Sequence, residues 1–506
     1  MPCDTTYDQH RAQVELRFLV IGGGIAGLAT AYCLRKAGHQ VLVLEKGGVG
    51  AGGRGGIQCP PNMTKILCKW GLGPMLAQKA RKCDRFVFYN ADRAERIGTM
   101  IMSEEFLQDL IGDLLFIRHA DLHEMLYNLA IQEGVEFRFN TGVEEIESGG
   151  LVLSTGEHIR GDIIIAADGY DSAARKWIET CSSSSNSSAS DEDDQTTAHP
   201  GENLNGDKPE KHVALTFMIP ASEFQANKDL SALFNPNDWF SALGEGYILN
   251  GFYLPDGDEI TITLIQRYES DSGDDDDWTE TRDIDSYHLD MSAFEPRMQA
   301  FLKLAKVISS RTFVYRPSPE DIVSECGKVV LVGNAAHPVM PGRNHGTALC
   351  IEDAQTLGLL FSRIQSREQI PRLVTAFDEI RLPHFFSTLT YDYAHHKNLI
   401  AAKGEPQLAR DAILRQSMVH GESWEHIDED AFRLVWEKEL ALYAHDASER
   451  VEDWWIQWGA LISRNRQSGR LSVIANMSVS VSKAAGGSIG VPDGVVSSGG
   501  GVVFSP

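Results

Sequence analysis

Basic residues are in short supply. Forty-six lysines and arginines face 71 aspartates and glutamates in 506 residues, giving a formal net charge of -25 and a pI near 5.0. A chain so acidic has no bulk charge with which to hold nucleic acid or an anionic membrane surface. Part of the acidity sits in two local runs, residues 191–194 and 274–277, and says little about a binding site. Paired cysteines are missing as well. None of the eight cysteines forms a C-x-x-C pair, which argues against a zinc site or a disulfide framework and for a reducing compartment. Residues 1–17 lack the basic and apolar regions of a signal peptide. The uncharged run 18–34 is short for a membrane span and holds four glycines. The expectation is a soluble cytoplasmic protein with no membrane span, long enough for two or three domains.

Those four glycines lead to what is present. Residues 18–21 are a short apolar run, read as a buried strand. Gly22, Gly24 and Gly27 then fit G-x-G-x-x-G, and a helix follows. In such a unit the first glycine permits a sharp turn and the second leaves room for a pyrophosphate. The third lets the helix pack close to the strand, with the phosphate at the positive end of the helix dipole. Residues 40–44 give a second apolar strand tipped by Glu45, eighteen residues after Gly27. That is near the roughly 20 expected for the acid that binds a ribose hydroxyl.

The same style of strand end recurs twice. Residues 162–167 run into Asp168-Gly169, with Ser172 placed to cap a helix and Arg175 one turn on. Residues 328–332 run into Gly333-Asn334-Ala335-Ala336-His337-Pro338. A glycine turn from Pro341 to Gly346 follows, with a helix expected from about Thr347. Between these lie a glycine-rich loop at 47–56 containing Arg54, strands at 86–89 and 94–100 for a separate sheet, and Arg118 at the entrance of an amphipathic helix. Strands at 135–139 and 143–146 are read into the nucleotide domain, and 151–153 with 158–160 as a hairpin. Strand-like alternation returns at 212–219, 247–253 and 260–268. Residues 181–209 are Ser-rich and acidic and read as a disordered insertion, in which Ser188 and Ser190 precede acids by three residues. Helices are expected at 369–389 (kinked near Pro383), 430–445 and 452–462, and the last thirty residues as a mobile tail.

Three glycine-bearing strand ends in this order resemble the class A FAD-dependent aromatic hydroxylases, the salicylate hydroxylase-like and p-hydroxybenzoate hydroxylase-like monooxygenases. The resemblance covers about residues 17–386 without the insertion. It implies an α/β fold: a split Rossmann-like FAD-binding domain, an inserted mostly antiparallel β substrate-binding domain and a helical C-terminal extension. The expected divisions are 1–180 for the first part of the FAD domain (with substrate-sheet strands near 86–100), 181–210 for the insertion and 211–310 for the substrate sheet. Residues 311–400 complete the FAD domain, 401–475 are helical, and 476–506 form the tail.

Carried over by motif, Gly22, Gly24 and Gly27 would hold the FAD pyrophosphate and Glu45 the adenosine ribose. Arg118, with Leu122 and Leu126, matches R-x-x-x-L-x-x-x-L and would contact the FAD backbone. Asp168, Gly169 and Arg175 match D-G-x-x-S-x-x-R, which serves FAD and the incoming nicotinamide cofactor. Gly333 and Asn334 match G-D-A-A-H-P with asparagine for aspartate, an exchange that keeps an acceptor but removes the charge. Gly346 and Thr347 would lie by the flavin pyrimidine edge. His345 stands where the family has glutamine, and with Arg343 it would place cations near the isoalloxazine. His345 is the first choice for a catalytic base, ahead of His212, Tyr247 and Tyr253.

The resemblance implies hydroxylation of an aromatic or phenolic substrate with NADPH or NADH and O2 through a C4a-hydroperoxyflavin, with or without decarboxylation. A role in secondary metabolism and a monomeric or homodimeric state go with it. No second G-x-G-x-x-G is visible for NAD(P)H, which suits a reductant that binds transiently. The alternatives are an FAD oxidase or dehydrogenase on the same fold, or a catalytically silent binding protein. No metal is expected.

Overall fold

In the computed structural model, five short parallel strands form the nucleotide layer, in the order Val329–Leu331, Ile163–Ala166, Arg17–Ile21, Gln40–Leu44, Glu136–Arg138. The structure describes residues 10–464 apart from 51–52, 54, 103–109, 111, 187–210, 234, 268–280, 283–293, 307, 315–318, 417 and 419–428. The three apolar runs at residues 17–21, 163–166 and 329–331 are buried along nearly their whole length, because helices cover a parallel sheet on both faces. Parallel strands share one C-terminal edge, so the three glycine-bearing turns after Ile21, Ala166 and Leu331 emerge side by side. The helices Ile25–Lys36 and His345–Phe361 pack together through Gly358. A Cβ there would lie 2.7 Å from that of Cys33, so only glycine allows the approach.

An eight-stranded sheet forms the second layer, in the order Thr281–Arg282, Ile308–Val314, Lys211–Pro220, Glu259–Arg267, Tyr247–Tyr253, Asp238–Gly244, Arg85–Asn90, Glu95–Ile101. Its pairings are antiparallel except that of Asp238–Gly244 with Arg85–Asn90. One face packs Leu215, Phe217, Ile262 and Leu264 against Phe224 and Phe301. The other carries Phe86, Phe88, Trp239 and Phe252 towards Trp436 and Tyr443 of the helix Glu429–Ala444. A small sheet of Gly56–Cys59, Leu115–Arg118 and Ala80–Lys82 brings Arg118 to the start of the helix His119–Glu133.

Several elements differ from the sequence reading. Val143–Glu147 does not join the parallel sheet. It pairs with Gly150–Leu153, which pairs in turn with His158–Arg160, so the expected hairpin is a three-stranded meander. The helix Ala173–Asn186 runs six residues into the stretch read as disordered. The rest of that insertion, with Ser188 and Ser190, lies outside the described residues, as do Arg54, the run 274–277 and the tail. The helix expected to stop near Leu389 is Ile370–Leu399, continuous through Pro383. Helices Gly73–Lys79 and Glu405–Gln416 add to the expected set. Met1–Glu452 make one compact unit. Asp453–Pro506 make another, whose described part is the end of the helix Ala447–Arg464. Among the described residues no helix is long and apolar enough to cross a membrane.

Candidate active site

Glycines stitch the three strand ends together. Gly22 has φ +100°, and a Cβ on it would meet the Ala167 carbonyl oxygen at 2.4 Å. A Cβ on Gly27 would meet the Gly22 carbonyl oxygen at 2.0 Å, and one on Gly333 the Ala26 Cβ at 2.6 Å. Gly24 is different. Its φ is -75°, and a Cβ there would find nothing within 4 Å. No side chain caps the helix Ile25–Lys36 and no acid occupies its first turn. An open space therefore faces uncapped N–H groups at the positive end of a helix, which fits a phosphate.

Two side chains fix the loop that faces this space. The Glu45 carboxylate accepts the backbone N–H of Gly23 and of Gly47, each at 2.6 Å. His123 Nε2 lies 2.8 Å from the Gly23 carbonyl oxygen. A trans peptide sets its N–H opposite its C=O. With the Gly23 carbonyl turned to His123, the Gly24 N–H points the other way. His123 was not singled out in the sequence, although it lies between Leu122 and Leu126 in the arginine motif.

Asp168 is occupied by its own helix. It accepts from Ser172 Oγ at 2.7 Å, Ala173 N at 2.9 Å and Ala174 N at 3.2 Å, while Ser172 Oγ accepts from Arg175 N at 2.9 Å. Asp168 thus shares the capping expected of Ser172. Arg175 is buried, with Nε on Glu179 at 2.9 Å. Gly169 has φ +87° and open space where a Cβ would be. Arg118 reaches Glu259 at the start of a substrate-sheet strand. Asn334 is exposed in the turn Gly333–Ala335. Gly346 and Thr347 are half-buried at the start of His345–Phe361, another helix with no side-chain cap.

His345 is no surface residue: it opens that helix and is buried. Its Nε2 lies 3.7 Å from Asp392 Oδ1 and 3.4 Å from Glu439 Oε2. Glu439 also accepts from Tyr391 OH at 2.6 Å and from Asn344 Nδ2 at 3.3 Å. Arg343 reaches Asp392 at 3.5 Å. Burial works against a charge on His345, but Asp392 and Glu439 outweigh it and raise its pKa. Burial likewise opposes the charge on Glu439, yet His345 holds it well below the usual carboxylate range. The cations expected beside the flavin are therefore held by carboxylates of the C-terminal helices. A pKa raised on folding gives stability that is complete below the unfolded value near 6.5 and is lost as pH rises through the folded value. The stability deficit of His345→Gln against the unchanged protein should accordingly shrink from about pH 6 to pH 9 in urea titrations. A constant gap would mean that His345 is neutral.

The other three base candidates separate by sheet face. His212 is buried beside His396, with ring centroids 4.8 Å apart, on the face turned to the glycine loops. Tyr247 and Tyr253 point into the apolar core of the opposite face, against Phe294 and Phe224. Burial raises both hydroxyl pKa values, which removes them as bases.

The comparisons agree with this geometry. A family model described as an FAD binding domain matches residues 15–197. The FAD-dependent monooxygenase OpS4 of Beauveria bassiana is 25% identical over 410 residues, 79% of this chain and 89% of that protein. The 3-hydroxybenzoate 6-hydroxylase of Klebsiella oxytoca is 26% identical over 383 residues, 73% and 85% of the two chains. The crystal structure of CtdE with FAD and a substrate superposes with a TM-score of 0.66, at 17% identity over 89% of this chain and all of that one.

The chain resembles the class A FAD-dependent aromatic hydroxylases, and its relatives are FAD-dependent monooxygenases and hydroxylases. Its cofactor is FAD.

Beside the glycine loops the chain carries a second buried charge network that sequence reading left unassigned. Asp353 accepts from Gly333 N at 2.9 Å, lies 2.7 Å from His337 Nε2 and binds Arg381 Nε at 2.9 Å. Glu352 meets Arg381 Nη2 and His384 Nε2, each at 3.0 Å, and Asn62 Nδ2 at 2.8 Å. Glu352, His384 and His445 bring ligand atoms within 4.8 Å of one another. The two imidazoles, however, stack at 3.6 Å and 10°. One ion cannot lie in both ring planes, and Arg381 already serves the carboxylate.

Proposed function

We propose that the hydroxylase inserts one oxygen atom of O2 into an aromatic or phenolic ring, with NADPH or NADH as reductant. Bound FAD would supply the activation of oxygen, which no amino-acid side chain performs. The observation that carries this reading is the open, uncapped helix start at Gly24, shared by three strand ends. Gly22, Gly24 and Gly27 would hold the pyrophosphate. Glu45, already oriented by Gly23 and Gly47, would meet the ribose. Arg118, with Glu259 as its present partner, would turn to the FAD backbone. Asp168, Gly169 and Arg175 would shape the rim where the nicotinamide cofactor arrives. Gly333 and Asn334 would face the ribityl chain, with Asn334 accepting through its amide oxygen. Gly346 and Thr347 would meet the pyrimidine edge.

The remaining work of the chain is to orient the ring and keep water out. His345 enters as a positioning residue, because its ring joins the flavin helix to Asp392 and Glu439 on two C-terminal helices. The relative from Beauveria bassiana fits a substrate from secondary metabolism.

The test is the visible spectrum of the purified protein under anaerobic conditions, before and after NADPH or NADH. A flavin band that bleaches slowly alone and faster with some phenols supports the hydroxylase. A band indifferent to both reductants across a phenol panel moves the reading to an oxidase. A chain that takes up no added FAD overturns it.

A further inference from the structure

Register across the large sheet places uncharged polar residues in one line. Ser241 pairs with Asn250, Asn250 with Thr263, Thr263 with Thr216, and Thr216 with Ser309. Residues directly paired on neighbouring strands share a face, so these five side chains form a stripe across five strands. They are linked within it: Ser241 Oγ to Asn250 Oδ1 at 2.8 Å, and Thr216 Oγ1 to Thr263 Oγ1 at 3.1 Å.

The stripe lies under the glycine loops. A Cβ on Gly55 would come within 3.0 Å of Thr216 and 3.3 Å of Thr261, and one on Gly342 within 3.2 Å of Thr263 and Ile265. Thr216 and Thr263 are half-buried, while Ser241 and Asn250 are buried. The stripe thus opens between the two loops and runs inward beneath the aromatic side chains of the sheet. Beside it, Trp239 Nε1 and Thr261 Oγ1 are buried with no hydrogen-bond partner. An orphaned buried donor is destabilising, and a ligand acceptor would relieve it.

Among the described residues, four cations near the stripe are already engaged. Arg343 is on Asp392, His345 lies between Asp392 and Glu439, and Arg118 is on Glu259. The Arg311 guanidinium covers the Tyr170 ring at 4.5 Å. A carboxylate set on this stripe would be desolvated beside cations that already have carboxylate or ring partners, whereas a neutral acceptor would find several donors.

We propose that the stripe recognises an uncharged aromatic substrate bearing a ketone or amide oxygen and disfavours ring carboxylates. Asn250 and Thr263 set the choice, and Trp239 donates to the acceptor. The inference rests on the hydroxylase reading, and the test separates the two. FAD-loaded protein is titrated with a dihydroxyacetophenone and with the dihydroxybenzoate of the same substitution pattern. Perturbation of the flavin spectrum gives each Kd.

The ketone should bind ~10-fold or more tightly than the carboxylate. Asn250→Leu should weaken the ketone by a similar factor and leave FAD affinity unchanged. Should that variant not fold, Thr263→Val at the half-buried middle of the stripe serves in its place. Equal or tighter binding of the carboxylate overturns the inference, as does a ketone Kd unmoved by a folded variant or a flavin that answers neither probe. Failure to take up FAD overturns the hydroxylase reading itself and the inference with it.

Discussion

Arg381→Met is expected to cost about 3–5 kcal/mol of folding stability, the effect of stripping the partner from a buried charge. Arg381 is fully buried on the helix Ile370–Leu399. Its guanidinium forks onto Asp353 at 2.9 Å and Glu352 at 3.0 Å, with the Leu349 carbonyl at 3.3 Å and the Phe385 ring beneath it at 4.8 Å. Methionine keeps most of the volume but abandons two carboxylates in the core. Burial pushes against ionisation of both acids. The surrounding cations nevertheless hold Asp353 low and Glu352 well below the ordinary range. A depressed carboxylate pKa contributes stability that is present above the unfolded value and is lost as pH falls through the folded one. In the variant the acids lose their guanidinium and take up protons more readily. The gap between the two proteins should therefore narrow as pH falls from about 7 to 5. Urea denaturation of the FAD-loaded protein at those two pH values reads both effects. Arg381→Lys should recover only part, since an ammonium cannot fork onto two carboxylates. A loss below about 1 kcal/mol would sink the argument.

The same network reaches the Gly333 turn, where the proposed reading puts the flavin. Asp353, held by Arg381, accepts the Gly333 N–H and fixes the turn that presents Asn334. Loss of Arg381 should weaken FAD binding as well as the fold, through a residue one helix removed from the ligand.

What was legible in the chain was local. Gly22 to Gly27, Asp168 with Ser172, and Gly333 with Asn334 each place a strand, a turn and a helix start within a short stretch of chain. Periodicity and turn chemistry suffice there. Partners across the fold carry no such signal. Asp392 and Glu439 lie 47 and 94 residues after His345, on helices whose inward faces look like any amphipathic stripe. His345 was placed at the flavin loop by its motif, but its ion pairs were not readable. Alternation over Tyr247–Tyr253 showed a strand, yet a period of two does not say which face meets the cofactor. Both tyrosines lie on the face opposite the glycine loops. The helix Glu405–Gln416 did carry a start signal, Gly404 followed by Glu405 and Pro406, and was passed over.

Gly24 offers the sharpest separation of binding from folding. Gly22 and Gly27 serve the chain itself. Gly22→Ala puts a Cβ at φ +100° and 2.4 Å from a carbonyl oxygen, and Gly27→Ala drives one to 2.0 Å from another. Each should cost several kcal/mol, from backbone strain and a clash that backbone cannot relieve cheaply. At Gly24 the backbone is ordinary and the space is empty. Gly24→Val should leave the FAD-free protein within about 1 kcal/mol of its original stability, most of that from a poorer helix start. Its branched side chain would nonetheless fill the space reserved for the pyrophosphate, and FAD affinity should fall by ~100-fold. Thermal unfolding with and without FAD separates the two outcomes. A ligand that binds only the folded state adds RT ln(1 + [L]/Kd), about 2.7 kcal/mol at a hundred times Kd. The unchanged protein should show that gain, Gly24→Val should show almost none, and Gly22→Ala should start lower in both conditions. Should Gly24→Val be stabilised by FAD as strongly as the original chain, the open space at the helix start is not where the phosphates sit.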